Sequence, residues 1–149
     1  MRRSTASDFG QLRGLLVAAG LPVDDLDTAS GLRFWVAEDG GDVAGAVGLE
    51  KTGTAGLLRS LVVAPTHRKR GLGRSLVEYV EREAGAEGVV LLVLLTQTAE
   101  AFFKGLGYRV VDRAGVPDEI RESAEFRSLC PASALCMAKS ISPRNEPYP

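Results

Sequence analysis

The chain is 149 residues long, 45% hydrophobic and 25% charged, with 18 Lys and Arg against 19 Asp and Glu. That is one domain with enough apolar material for a core, and a near-zero net charge excludes a general nucleic-acid coat, whose phosphate contacts call for a basic excess. Any basic patch is therefore local. The longest apolar run, residues 89–95, has seven residues where a membrane span needs about 20, so no bilayer crossing is expected. The opening MRRSTASD has no apolar stretch after its arginines, so no secretory signal is expected and the cytoplasm is the expected compartment. Thiols stay reduced there, and two cysteines, Cys130 and Cys136, make no disulfide framework.

In chain order, Asp8 reads as a helix cap, and Phe9, Leu12, Leu16 and Ala19 recur at helical intervals until Gly20 stops the pattern. A short second helix is expected around 23–29. Residues 34–38, 43–50 and 57–63 read as consecutive antiparallel strands, separated by Gly40-Gly41 and by a Gly-Thr-rich turn at 52–56. From Leu72 the period changes. Leu72, Leu76, Val77, Val80 and Ala84 follow a 3.6-residue rhythm with Glu78, Glu81, Arg82 and Glu83 between them, which predicts an amphipathic helix ending at Gly85. Residues 89–95 read as a strand covered on both faces. A short helix at 98–106, a strand at 108–111, a helix over 117–129 and a last strand at 134–141 complete the pattern. Strands alternating with helices in this half imply helices packed on a partly parallel sheet, an α/β (α+β) fold. The tail 142–149, with three prolines in eight residues, reads as extended or disordered.

The chemistry concentrates in residues 58–73, LRSLVVAPTHRKRGLG, which run from a strand through a basic, glycine-bearing loop into a helix start. A helix amino terminus exposes unpaired N–H groups and a partial positive charge, and glycines let a ligand approach the backbone. Arg68, Lys69, Arg70 and Arg74 surround that turn and suit a pyrophosphate. The alternative is a solvated basic turn, but the strand before and the strong helix after favour phosphate binding. The Gly-Lys-Ser/Thr ending of a Walker loop is missing, as is the Gly-x-Gly-x-x-Gly dinucleotide pattern.

Arg68-Lys69-Arg70-Gly71-Leu72-Gly73 matches the Arg/Gln-x-x-Gly-x-Gly/Ala signature, with Val63-Ala64-Pro65 leading into it. On these residues the chain resembles the GNAT superfamily of N-acetyltransferases over residues 1–141. The resemblance implies a GNAT fold, with a mixed, mostly antiparallel sheet of six to seven strands and about four helices. It makes 1–141 one domain and 142–149 its tail. It also implies acetyl-CoA as cosubstrate, with the pyrophosphate gripped by Arg68, Lys69, Arg70, Gly71, Leu72, Gly73 and Arg74. The backbone of Leu61, Val62 and Val63 then pairs with the pantetheine arm and polarises the thioester carbonyl, Val62 being the catalytic member, as a preorganised oxyanion donor. Thr98, Phe102 and Phe103 join the cofactor side.

The stretch Leu95-Thr96-Gln97-Thr98-Ala99-Glu100-Ala101-Phe102-Phe103-Lys104-Gly105-Leu106-Gly107-Tyr108 resembles part of the acetyltransferase domain of bacterial N-acetylglutamate synthases. Residues 125–139 (EFRSLCPASALCMAK) resemble small stand-alone GNAT proteins associated with arsenic resistance. These likenesses imply the amine of an amino acid or amino-acid-like compound as acceptor, with a glutamate analogue linked to arsenic resistance among the candidates. Small-molecule substrates, no nucleic-acid or membrane partner, and a homodimer are what the resemblance and the composition together imply. Two other readings stand beside it, acetylation of a protein amino terminus or lysine, and a sensor that binds acetyl-CoA or a metalloid without turnover.

The chain departs from the family pattern at several places. Phe103 stands where many members carry a thiolate-protonating tyrosine, and Leu57 where many carry a glutamate base. Glu50 is the candidate base, the alternative being a solvated strand-end carboxylate. Arg59, in an otherwise apolar strand, either pairs with an internal carboxylate such as Glu50 or forks onto the acceptor's carboxylate. Strict alternation places it opposite Ser60 and Val62. Ser60, Thr96 and Ser133 are the other acceptor-side candidates, although Pro131 replaces the arginine that accompanies such a serine. Thr96 and Thr98 also suit a helix entry. His67 is a lone histidine, so neither base nor metal ligand, and no metal is expected. Cys130 and Cys136 read as small buried hydrophobes, with thiolate binding of a soft metalloid as the alternative. Residues 117–129 suit a lid over a small substrate.

Overall fold

The structure, a computed structural model, describes residues 1–26, 31–123, 125–129 and 133–141. The chain forms two compact units, Met1–Glu50 with Leu58–Val80, and Lys51–Leu57 with Glu81–Pro149.

In the first unit, β2 (Leu32–Asp39) and β3 (Asp42–Thr52) form an antiparallel hairpin with Leu32 opposite Glu50 and Trp35 opposite Val47. Its turn falls on Gly40 and Gly41, both at positive φ (60° and 88°), which glycine adopts without steric cost. A two-residue edge strand β1 (Arg2–Arg3) pairs with β2. Two arginines carry no periodicity, so this strand was not expected from the sequence. Helix α1 (Phe9–Ala18) places Leu12 and Leu16 in a core with Leu26, Phe34, Val36, Ala46 and Val62. Asp8 does not cap α1. Its carboxylate accepts Thr5 N–H at 2.7 Å, across the 3-10 turn Ala6–Asp8, and takes the Arg2 fork at 2.8 and 2.9 Å. Of the predicted helix 23–29, Val23 has no regular structure, residues 24–26 form a turn, and residues 27–29 lie outside the described residues.

In the second unit, β4 (Ala55–Val63) begins with a parallel pairing to β5 (Leu91–Thr96) through Ala55↔Leu91, Gly56↔Leu92 and Leu57↔Val93. β5 then pairs antiparallel with β7 (Leu135–Ser140), and β7 with β6 (Arg109–Val110). The last strand thus inserts between two earlier ones. Strand order is β1-β2-β3-β4-β5-β7-β6, a seven-stranded mixed sheet. Helix α2 (Leu72–Ala86) follows the predicted rhythm, with Leu76, Val77, Val80 and Ala84 fully buried, and extends one residue past Gly85. Helix α3 (Glu100–Gly105) is shorter than predicted. The predicted helix over 117–129 is instead a four-residue helix α4 (Asp118–Arg121) and a π-helical turn (Glu125–Leu129). Val116 and Ile120 pack with Ala55, Leu57 and Val93 in the core of this unit, so burial ties this segment down. Tyr108 donates to Glu81 at 2.9 Å and Lys139 reaches both Glu81 oxygens at 3.1 Å. Burial first, and the Glu81 charge second, push the Tyr108 phenol far above its ordinary range.

The Arg2 hydrogen bond, followed by that from Thr5 N–H, holds the Asp8 carboxyl well below its usual range. A depressed carboxyl contributes stability that is fully present above its unfolded pKa of about 4 and is lost as pH falls through the folded value. Asp8→Asn is therefore expected to lower the Tm at pH 7 and to flatten the Tm-against-pH curve below about pH 4, read by thermal denaturation across pH. An unchanged acid limb would contradict the ion pair.

Candidate active site

Strand β4 carries the site of the first unit. Its apolar run is broken by Arg59 and Ser60, and Ser60 lies three residues beyond the last pair with β5 at φ 58°. A non-glycine residue in the left-handed region costs about 1–2 kcal/mol, so neighbouring interactions must hold it. Contrary to strict alternation, Arg59 and Ser60 meet, with Arg59 Nε donating to Ser60 Oγ at 3.1 Å.

The Arg59 side chain has no exposed surface. Its Nη1 and Nη2 donate to the two carboxylate oxygens of Asp25 at 2.6 and 2.8 Å, and Nη1 also donates to Glu50 Oε1 at 2.8 Å. Of the two roles open to Arg59, the structure therefore displays the internal pairing. Glu50 is buried, not solvated at a strand end. Asp25, also buried, was missed by sequence reasoning, because an aspartate in the run Asp24-Asp25-Leu26-Asp27 reads as a surface turn and carries no signal of a partner 34 residues away.

Past β4, a 3-10 turn (Pro65–His67) leads into the basic loop. Arg68 Nε donates to Val63 O at 3.1 Å, Lys69 and Gly71 sit at φ 66° and 76°, and Ser75 N–H bonds Gly71 O as α2 begins. Arg68, Lys69, Arg70 and Arg74 are all exposed. A side chain on Gly71 would meet nothing within 4 Å. Backbone conformation, not space, requires this glycine, and its surroundings are open to a ligand. At Gly45 the reverse holds, since an added Cβ would lie 3.0 Å from Leu76, 3.1 Å from Val62 O and 3.3 Å from Leu72. The missing side chain lets the first turn of α2 close onto β3 and β4. His67 bridges Asp39 at 2.7 Å and Thr66 at 2.9 Å, which ties the turn to the β2–β3 hairpin. Val62 is buried, while Leu61 and Val63 are half-buried.

The second unit holds the remaining candidates. Thr96 Oγ1 accepts Ala99 N–H at 3.0 Å at the entry to α3, and Thr98 is exposed. Phe103 is buried and meets Phe102 and Tyr108 edge to face at 5.0 and 5.5 Å, while Phe102 is exposed. Leu57 is fully buried. Ser133 is exposed, and Cys130 and Pro131 lie outside the described residues. Cys136 is buried, and that burial pushes its thiol pKa up, the opposite of a reactive thiolate. Among the described residues, no group of three or more His, Cys, Asp or Glu is placed to hold a metal ion, and no helix is long and apolar enough to cross a membrane.

A family model described as an acetyltransferase (GNAT) domain matches residues 30–110. An uncharacterized N-acetyltransferase of Chlorobaculum tepidum is 33% identical over 104 residues, covering 69% of this chain and 64% of that protein. Among solved structures, N-acetylglutamate synthase from Neisseria gonorrhoeae, complexed with coenzyme A and N-acetyl-glutamate, superposes with a TM-score of 0.79 at 19% identity. That match covers 94% of this chain and 34% of the synthase. The ribosomal-protein-S18-alanine N-acetyltransferase from Escherichia coli superposes at 0.72 with 19% identity, over 98% of this chain and 97% of that one. At such identities the superpositions speak to the fold. The chain spans 36%, 64% and 47% of the length of three curated relatives that it matches.

Removing Arg59 strands two buried carboxylates. Arg59→Ala is expected to cost about 3–5 kcal/mol in urea denaturation, the range for breaking a buried pair from one side. A loss below about 1 kcal/mol, the level of an exposed pair, would contradict the burial.

Proposed function

The chain belongs to the GNAT family of acetyltransferases, and from that premise we propose that it transfers the acetyl group of acetyl-CoA to the primary amine of a small amino acid or amino-acid-like compound. The observation that carries this reading is the end of β4, where a left-handed residue, Ser60, precedes the last strand residues Leu61, Val62 and Val63 and, past a 3-10 turn, an open, four-cation loop at the amino terminus of α2. Loop N–H groups and Arg68, Lys69, Arg70 and Arg74 hold a pyrophosphate there by hydrogen bonding, charge and helix dipole. Acetyl-CoA supplies an acetyl group activated as a thioester. The backbone of Leu61, Val62 and Val63 pairs with the pantetheine arm, and Val62 N–H donates to the thioester oxygen, where negative charge develops.

The acceptor's ammonium must lose a proton before its nitrogen can attack the thioester carbon. Glu50, buried on β3 with its Oε1 accepting from Arg59, is the proposed acceptor of that proton, through water. The amine nitrogen then bonds the acetyl carbon, the carbon–sulfur bond breaks, and the thiolate takes a proton from solvent, since Phe103 offers none. Much of the rate comes from holding the two reactants together, which can contribute about 7–11 kcal/mol.

Free-thiol release from acetyl-CoA tests this, with a panel of glutamate, aspartate, glutamate analogues bearing arsenic or phosphorus groups, and a peptide with a free amino terminus. Turnover of the small amino-acid-like amines is expected. Turnover of the peptide alone would transfer the reading to protein acetylation, and tight acetyl-CoA binding without thiol release would make the chain a sensor. Gly71→Val, which forces a β-branched residue to positive φ, is expected to raise the acetyl-CoA KM at least about tenfold while the acceptor KM stays within about twofold. Equal effects on both would contradict the assigned donor loop.

A further inference from the structure

We propose that Arg59 is a positioning residue for acetyl transfer, fastening the segment after α1 to left-handed Ser60 in β4 and so setting the aim of the backbone donor beyond it. The proposal rests on the acetyl-transfer reading for its functional consequence, but the mechanical link stands on the geometry alone.

Three elements converge on one planar group. Asp25, in the turn at residues 24–26, takes both Nη atoms; Glu50 on β3 takes Nη1 a second time; and Ser60 Oγ takes Nε. Leu26, next to Asp25, sits in the same core as Val62, two residues past Ser60. A guanidinium is rigid, and its donors point in fixed directions within one plane. With two of its three nitrogens set by the bidentate Asp25, the direction of Nε is set as well. The residue to which Nε donates is the left-handed one, Ser60. Serine enters that conformation only at a cost, whereas glycine does so freely. The bond from Arg59 is thus placed to keep Ser60 where its own preference would not.

It follows that the placing of residues 24–26 and the direction of the Leu61 and Val62 N–H groups are linked through Arg59, which touches neither substrate in this account. A residue acting this way affects the rate of the chemical step more than the binding of either reactant. It also becomes dispensable once the left-handed conformation at residue 60 no longer needs support.

That dispensability gives the test. Asp25→Asn keeps the size of the side chain but removes its charge and one carboxylate oxygen, so the bidentate hold is lost. In the whole chain, this variant is expected to keep its calorimetric affinity for coenzyme A and both KM values within about threefold, while kcat falls at least about tenfold. Asp25→Asn combined with Ser60→Gly is expected to recover at least about half of the lost kcat, because glycine holds positive φ unaided. In nuclear magnetic resonance spectra of the ligand-free chain, the Ser60 Cα and the Leu61 and Val62 amide resonances are expected to move in Asp25→Asn. A fall in kcat no larger than the unfolded fraction, or no recovery with Ser60→Gly, would overturn the positioning role. Unmoved Ser60, Leu61 and Val62 resonances would overturn the link itself. If the wild-type chain turned over no amine, the acetyl-transfer reading would fail by that result, and the spectra would still decide the link.

Discussion

A guanidinium with no exposed surface can persist only where anionic and polar partners meet it in good geometry. Taking a charge from water is expensive, and a partly satisfied network is worse than none. Arg59 meets that condition with Asp25, Glu50 and Ser60. Each partner comes from a different place in the chain, so one charge fixes the segment after α1, the end of β3 and the middle of β4 together. The rest of the first unit is arranged compatibly. Gly45 leaves room for the first turn of α2, Leu12 and Leu16 cover the other side of Val62, and His67 anchors the turn that leads into the basic loop.

Much of this was legible in the sequence, for identifiable reasons. The amphipathic rhythm of α2 depends on side chains alone, so Leu76, Val77, Val80 and Ala84 were readable as its buried face. The basic loop was readable because four cations and two glycines fall within seven residues, 68–74. An arginine in an apolar strand announces that it needs a carboxylate, and Glu50 was one candidate partner. What stayed hidden was non-local or conformational. Asp25 lies 34 residues from Arg59. The left-handed Ser60 has no residue signature, since serine is not the residue that such a conformation favours. The insertion of β7 between β5 and β6 depends on pairings that periodicity does not encode, and β1 is two arginines held by an edge. The packing of Val116 and Ile120 into a core is likewise something one-dimensional spacing could not reveal.

The two halves of the chain contribute unequally to the proposed chemistry. The first unit supplies left-handed Ser60, the proposed base Glu50 and the cationic loop. In the second, Phe103 packs against Phe102 and Tyr108, and Tyr108 donates its hydroxyl to Glu81, with burial raising the phenol pKa. The proposed chemistry draws on electrostatic orientation by backbone groups and on proximity.

At the centre stands the proposal that the β4 backbone past Ser60 and the loop at the head of α2 form one acetyl-CoA site. Titrating coenzyme A into the isotopically labelled chain and following backbone amide resonances tests it directly. The account predicts saturable shifts centred on Leu61, Val62 and Val63 together with Gly71, Leu72 and Gly73. Saturable binding whose shifts fall elsewhere and leave these six amides unmoved, or no binding at all, would contradict it.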